Sequence, residues 1–185
     1  MALTQVAGGM LAGSITSSQI SSVAGSTITG SQSIPKSTLP TGSVLQVVQN
    51  TTAATIQTSS TSFVTTGFAQ SITPTSSTSK ILININGGGA YMGAGSSVTM
   101  RVTIYRGGTD LSAGYGITNN GMMRFSTPGG SWMLVPYSMM WLDSPATTSS
   151  TTYTVYFRNA DTASTVDFSN TDRGVVTLTL MEIAA

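Results

Sequence analysis

A chain of 185 residues is long enough for one ordinary domain plus an appendage. Charged residues make up only 7% of it, and seven basic side chains against six acidic ones leave a net charge of +1. That balance offers no electrostatic footprint for nucleic acid or for an anionic membrane, and an apolar content of 39% excludes a wholly disordered chain.

Residues 1–40 carry isolated apolar side chains in a background of Ser, Thr and Gly. "GSITSSQISSVAGSTITGSQSIPKSTLP", Gly13 to Pro40, shows neither a helical nor a strand period. Its apolar positions include Ile15, Ile20, Ile28 and Ile34, and "ITSSQI" has a weak echo in "ITGSQSI". One reading is a flexible Gly/Ser-rich leader. The other is an extended attachment arm that buries its Ile residues only against a partner. Three such arms around an axis bring Ile15, Ile20, Ile28 and Ile34 together, each worth roughly 1.5–3 kcal/mol when buried. Pro35 and Pro40 disfavour helix and mark the exit from the arm.

The folded part is expected over residues 41–185. "GSVLQVVQ" reads as a strand with Val44, Gln46 and Val48 alternating against Leu45 and Val47, and "TSFVTTGFAQSITP" is rich in β-branched and aromatic residues. From Lys80 the period-2 signal strengthens. Ile81, Ile83 and Ile85 share one side, as do Val98, Met100, Val102 and Ile104, then Tyr153, Val155 and Phe157, then Val176, Leu178 and Leu180. "SWMLVPYSMMWLDSP" is apolar on both faces. It reads as a central or interface strand in which Pro136 demands an edge or a bulge. The Gly-rich stretches "NGGGAYMGAGSS" and "TNNGMMRFSTPGGS" read as exposed loops. Short strands punctuated by Gly, Pro and Asn predict an all-β protein: an antiparallel β-sandwich, jelly-roll-like, behind an extended N-terminal arm.

Little in the chain reads as chemistry. Histidine and cysteine are absent, which removes the commonest general base, the commonest metal ligand and any disulfide framework. The six acids, Asp110, Asp143, Asp161, Asp167, Asp172 and Glu182, include no D-x-D-x-D ligand run. Asp110 and Asp143 sit in turn-like contexts. The glycines of "INGGGAYMGAG" lack the Lys-Ser/Thr of a phosphate loop. No enzyme activity, cofactor or metal is therefore expected. No basic, apolar leader and no run of about 18 apolar residues is visible, so export and membrane insertion are not expected. The ten methionines serve either irregular core filling or a subunit interface. Tyr91, Tyr115 and Phe125, with Asn119, Asn120 and Arg124, read as loop residues suited to contacting a glycan or a protein.

"SITPTSSTSKILI", "WLDSPATTSSTTYTVYF" and the terminal "LTLMEIAA", with the leader "LTQVAGGMLAGSITSSQI", resemble small fibre or appendage proteins of tailed bacteriophages, in particular those infecting aquatic and cyanobacterial hosts. The resemblance spans most of the chain. It implies a homotrimeric virion protein assembled in the host cytoplasm. Its N-terminal arm would dock on other virion proteins of the tail baseplate or capsid, and its β-rich head would face the host surface. It transfers no catalytic residue. Alternatives within the same reading are a capsid decoration, cement or head-fibre protein and, from another class, a glycan-cleaving spike.

Overall fold

A computed structural model describes residues 36, 39–95, 97–115, 121–161 and 164–185. The anchor candidates Ile15, Ile20, Ile28 and Ile34, and the contact candidates Asn119 and Asn120, lie outside the described residues. One compact unit runs from Leu39 to Ala185. Its strands are β1 (Val44–Thr52), β2 (Ile56–Thr58), β3 (Val64–Ile72), β4 (Lys80–Met92), β5 (Thr99–Arg106), β6 (Thr109–Asp110), β7 (Met123–Ser126), β8 (Met133–Asp143), β9 (Thr151–Asn159), β10 (Val166–Ser169) and β11 (Val176–Ile183).

The strands form two antiparallel sheets. The first runs β1-β11-β4-β10-β2, with β8 on the other side of β4; the second runs β3-β9-β5-β6, with β7 also on β5. Setting aside the short β2, β6 and β10 leaves eight strands. Among these the first pairs with the eighth (β1–β11), the second with the seventh (β3–β9), the third with the sixth (β4–β8) and the fourth with the fifth (β5–β7). One long hairpin rolled into two sheets gives these pairs, so the architecture is a jelly roll.

The core is the layer that the two sheets share. Ile81, Ile83 and Ile85 of β4 and Val176, Leu178 and Leu180 of β11 face Phe68 of β3, Met100, Val102 and Ile104 of β5, and Tyr153, Val155 and Phe157 of β9. Their period-2 spacing is the one read from the sequence, because one face of each strand meets the opposite sheet. Met139 is buried in this layer while Met140, one residue on, is exposed, so the methionines serve both core and surface.

Register shifts correct two of the sequence expectations. The Gly-rich stretch after Asn86 is not a loop until Met92, because β4 continues through it. Gly87 takes the ring of Tyr137 across the strand pair, where a Cβ would lie 2.1 Å from Tyr137 Cζ. At Gly88 the neighbour is backbone, with Arg173 O 2.4 Å from the Cβ position and Gly174 Cα 2.8 Å from it. Glycine there permits close approach of two backbones rather than a loose turn. The register slips between Gly87 and Ala90, so three steps on β4 match two on β8. This bulge swaps side-chain parity. Leu82, Asn84 and Tyr91 therefore share the outer face, with buried Ile85 and Met92 on the other. The second correction concerns β1. A register shift between Val44 and Gln46 breaks the expected alternation and leaves Val44 and Val47 both exposed.

The edge expected from Pro136 is present: β8 pairs with β4 alone, and Pro136 is exposed. Asp143, expected in a turn, instead ends β8 as a buried carboxylate. Arg106 Nη1 lies 2.8 Å from both of its oxygens, and the Tyr153 hydroxyl donates to Oδ2 at 2.7 Å. Burial, then that carboxylate, pushes the Tyr153 phenol well above its ordinary range. Glu182 is fully buried on β11, where its carboxylate accepts from the Thr75 backbone N–H and hydroxyl, both at 2.7 Å, and from Gln46 Nε2 at 2.7 Å. Burial pushes its pKa up, but these hydrogen bonds, led by Thr75, outweigh burial and hold it below the usual range.

Two outcomes follow from this packing. Gly88→Ala should destabilise the fold by about 1–3 kcal/mol, the overpacking range, while Gly114→Ala, with open space at its Cβ position, stays within about 0.5 kcal/mol; urea titration of the two variants checks this. A carboxylate whose folded pKa is depressed adds stability above its unfolded value of about 4.3, and that stability is lost as pH falls through the folded value. Glu182→Gln should therefore cost about 1–3 kcal/mol at pH 7, and the gap to wild type should close below about pH 4 in denaturation curves run across pH.

Candidate ligand-binding surfaces

The jelly roll has two outer faces, and the contact residues expected from the sequence fall on different ones. Tyr91 lies on the outer face of the first sheet, opposite Leu134 in the β4–β8 pair. Arg124 lies on β7, at the margin of the second sheet, and is exposed. The two do not form one site. Tyr115 ends a short 3-10 turn, Ala113–Tyr115. Phe125, expected in an exposed loop, is a half-buried strand residue whose ring meets Tyr137 edge-on at 6.1 Å.

On the first sheet, the bulge at Gly88–Gly89 brings Tyr91 out beside two loops. The Arg173 guanidinium sits over its ring, 3.9 Å from the centroid, a cation–π geometry. Arg173 also pairs with Asp167 on β10, a carboxylate almost wholly buried, which the Asn170 amide approaches at 3.5 Å. Asp167 is the strand partner of Tyr91, so one carboxylate places the arginine over the ring. The Trp132 ring also lies near Tyr91, its centroid 6.4 Å away and tilted by 31°. It is 64% exposed, and Leu134 and Val175 nearby are also open to solvent. The result is a small platform: an exposed indole, a phenol held by a guanidinium, and apolar side chains around them. Such surfaces stack on apolar ring faces while the polar tips donate hydrogen bonds. Trp132, Arg173 and Asp167 escaped the sequence reading because the strand pairing that joins them to Tyr91 links positions far apart in the chain.

The same outer face has a second feature at the opposite end of β4. Cross-strand pairing lines up Val47, Met181, Leu82 and Leu142 in one row across four strands. The next row is Gln49, Thr179, Asn84 and Met140, and Val44 and Ile183 flank the first. Val44, Val47, Met140 and Leu142 are each more than half exposed. Lys80, beside Ile183, is the charged residue of these rows.

The outer face of the second sheet concentrates charge instead. Arg101 on β5 stands directly opposite Arg124 on β7 and, on its other side, opposite Arg158 on β9. Beside this row Tyr105 and Tyr156 stack with ring centroids 3.9 Å apart. Among the described residues, no three acidic side chains converge in a way that would hold a metal ion. A shallow open cleft between β1 and β3 is lined by Asn50, Thr51, Thr66 and Phe68, without a charged group.

No family model matches the chain, and no curated protein matches it. Among solved structures it is similar to a chain of the T13 viral particle of infectious bursal disease virus, at 16% identity and a TM-score of 0.36, over 76% of this chain and 36% of that one. It is also similar to VP2 of the subviral particle of the same virus, at 14% identity and a TM-score of 0.34, over 76% of this chain and 38% of that one. The chain thus spans little more than a third of those proteins. The jelly-roll assignment rests on the strand pairing.

Proposed function

We propose that the chain is a virion structural protein of the tailed-phage fibre type. In this reading it is a homotrimer, attached to the particle through residues 1–40 and presenting residues 41–185 to a glycan on the host surface. The observation that carries the recognition role is the Tyr91–Trp132–Arg173 platform. An indole exposed over most of its area beside an ordered phenol and guanidinium is unusual on a surface with so few charges, and it suits the apolar faces and hydroxyls of a sugar. The leader resembling phage N-terminal arms supports the attachment role.

The protein acts by binding rather than by catalysis. Asp143 and Asp167 are engaged by Arg106 and Arg173, and Glu182 by Thr75 and Gln46, so these three acids hold the fold. The apolar rows on the first sheet supply the contact between copies. Four apolar side chains, each more than half exposed, stand in adjoining rows, and contiguous apolar surface of this kind marks an interaction site. The amides and hydroxyls of Gln49, Thr179 and Asn84 give the neutral rim that a subunit interface requires. In a trimer three copies of this patch face one axis, and with no carboxylate in it they meet without like-charge cost beyond Lys80.

Two experiments test this reading. The purified 185-residue chain should sediment as a trimer at micromolar concentration, and Met140→Glu, which puts a charge in the rows, should shift it to monomer; a monomeric wild type would sink the trimer. Adsorption to host cells should fall at least tenfold for Trp132→Ala, about 1.4 kcal/mol, with thermal stability unchanged because the indole is exposed. Equal, negligible adsorption of wild type to host and non-host cells would instead favour a capsid decoration role. Release of sugars from host polysaccharide would overturn the binding-only reading.

A further inference from the structure

Three of the seven basic side chains of the protein stand side by side in one row on the outer face of the second sheet. Directly opposite residues on neighbouring antiparallel strands hold their Cβ atoms about 5 Å apart, and like charges placed so are destabilising. A chain with 7% charged residues has ample hydroxyls to put there instead. Arg158 is held in place: it donates to the Thr61 carbonyl at 2.7 Å and lies over the Phe63 ring at 5.4 Å. Arg101 sits half-buried between the other two, and Arg124 is exposed at the margin. The guanidinium groups feel one another. Burial, then Arg124, then Arg158 lower the pKa of Arg101, and Asp161 is the acidic group that opposes them. Two carboxylates, Asp161 and the Asp110 that the Thr103 hydroxyl holds further along the face, against three guanidinium groups leave it positive.

We propose that the Arg124–Arg101–Arg158 row is a binding site for oxyanion groups, carboxylate or sulfate, carried by an acidic polysaccharide. Planar guanidinium forks match such groups with paired N–H donors. An anion between them replaces mutual repulsion with charge-assisted hydrogen bonds. The row spans about 10 Å across three strands, wider than a single acidic group. A polymer with repeated acidic groups therefore engages more of it than a free ion does. The polymer assignment rests on the glycan-binding reading given above, and the oxyanion site does not. The site is on a different sheet from the Tyr91–Trp132–Arg173 platform, so the two can be removed separately.

The test uses the 185-residue chain with Arg124→Gln, which changes an exposed side chain, and Arg124→Lys, which keeps the charge but loses the fork. The probes are inorganic sulfate, a polyuronate, dextran sulfate and neutral dextran. Sulfate should raise the melting temperature of wild type above that in chloride of equal ionic strength, and Arg124→Gln should lose most of that rise. In low salt without sulfate, Arg124→Gln should melt no lower than wild type, because it relieves repulsion. One or both acidic polymers should be retained by wild type and at least tenfold less by Arg124→Gln, with Arg124→Lys between; which polymer is retained tells carboxylate from sulfate. Equal response of wild type and Arg124→Gln to sulfate and to both polymers overturns the site. Retention of acidic polymer that Trp132→Ala leaves intact supports the row even if host adsorption fails. Host adsorption lost in Trp132→Ala but untouched in Arg124→Gln, with no polymer retained, overturns the row and leaves the platform standing.

Discussion

The close approach of the Arg173–Gly174 backbone to β4 at Gly88 is the constraint on which the first sheet depends. β4 is its central strand, paired with β11 and β10 on one side and with β8 along the other. Its Ile81, Ile83 and Ile85 supply the centre of the core. If it kept strict alternation to its end, Tyr91 would point inward with those isoleucines. The bulge at Gly88–Gly89 reverses the parity instead, so Ala90 and Met92 close the core and Tyr91 turns out. The same glycines admit the 170–175 loop, which delivers Arg173 to the ring of Tyr91 and to Asp167. Gly174, at φ +95°, makes the turn that side chains with a Cβ disfavour. Fold and platform thus share one cause: no Cβ at Gly88.

Scarcity of charge governs the rest. Buried carboxylates need partners or they destabilise the fold. Asp143 has Arg106 and Tyr153, Asp167 has Arg173, and Glu182 relies on neutral donors. These pairings tie the ends of strands that are distant in the chain: β5 to β8 through Arg106, and β1 and the segment after β3 to β11 through Glu182. Arg106 and Arg173 are committed in this way, and three of the other five basic side chains stand together in the arginine row. Hydroxyls and amides cover most of what remains, so covering this surface would desolvate few ions.

Much of the fold was legible in the sequence because a jelly roll needs one buried face on each strand. The alternations at Lys80–Ile85, Val98–Tyr105, Tyr153–Arg158 and Val176–Leu180 are that requirement written out, and Pro136 correctly marked an edge. The failures in β1 and β4 have one physical origin. Bulges reset the period, and the glycines that permit the one in β4 read equally well as a loop. In β1 the shift after Val44 exposed two valines that alternation had separated, and in β4 a glycine run that looked like a loop was a close-packed strand. The surfaces were less legible still. Arg101, Arg124 and Arg158 are scattered singly along the chain, as are Val47, Leu82, Leu142 and Met181. Only the pairing of distant strands makes either group into a row.

That pairing also explains how one small sandwich can carry three different surfaces. In a rolled hairpin each sheet draws its strands from both halves of the chain, so a row across a sheet samples residues far apart in sequence. The outer positions are free of the core's demand for apolar side chains, and each row takes its own chemistry: aliphatic beside Lys80, aromatic beyond the β4 bulge, cationic on the second sheet. Fold alone does not assign a task to any of them. The division of labour proposed here follows from physical chemistry: apolar rows hold copies together, because burial of neutral surface is cumulative and non-directional. Rings and guanidinium groups do the recognition, because their geometry is directional. Trimerisation would then repeat both recognition surfaces three times on one particle component, and weak individual contacts would combine into firm attachment.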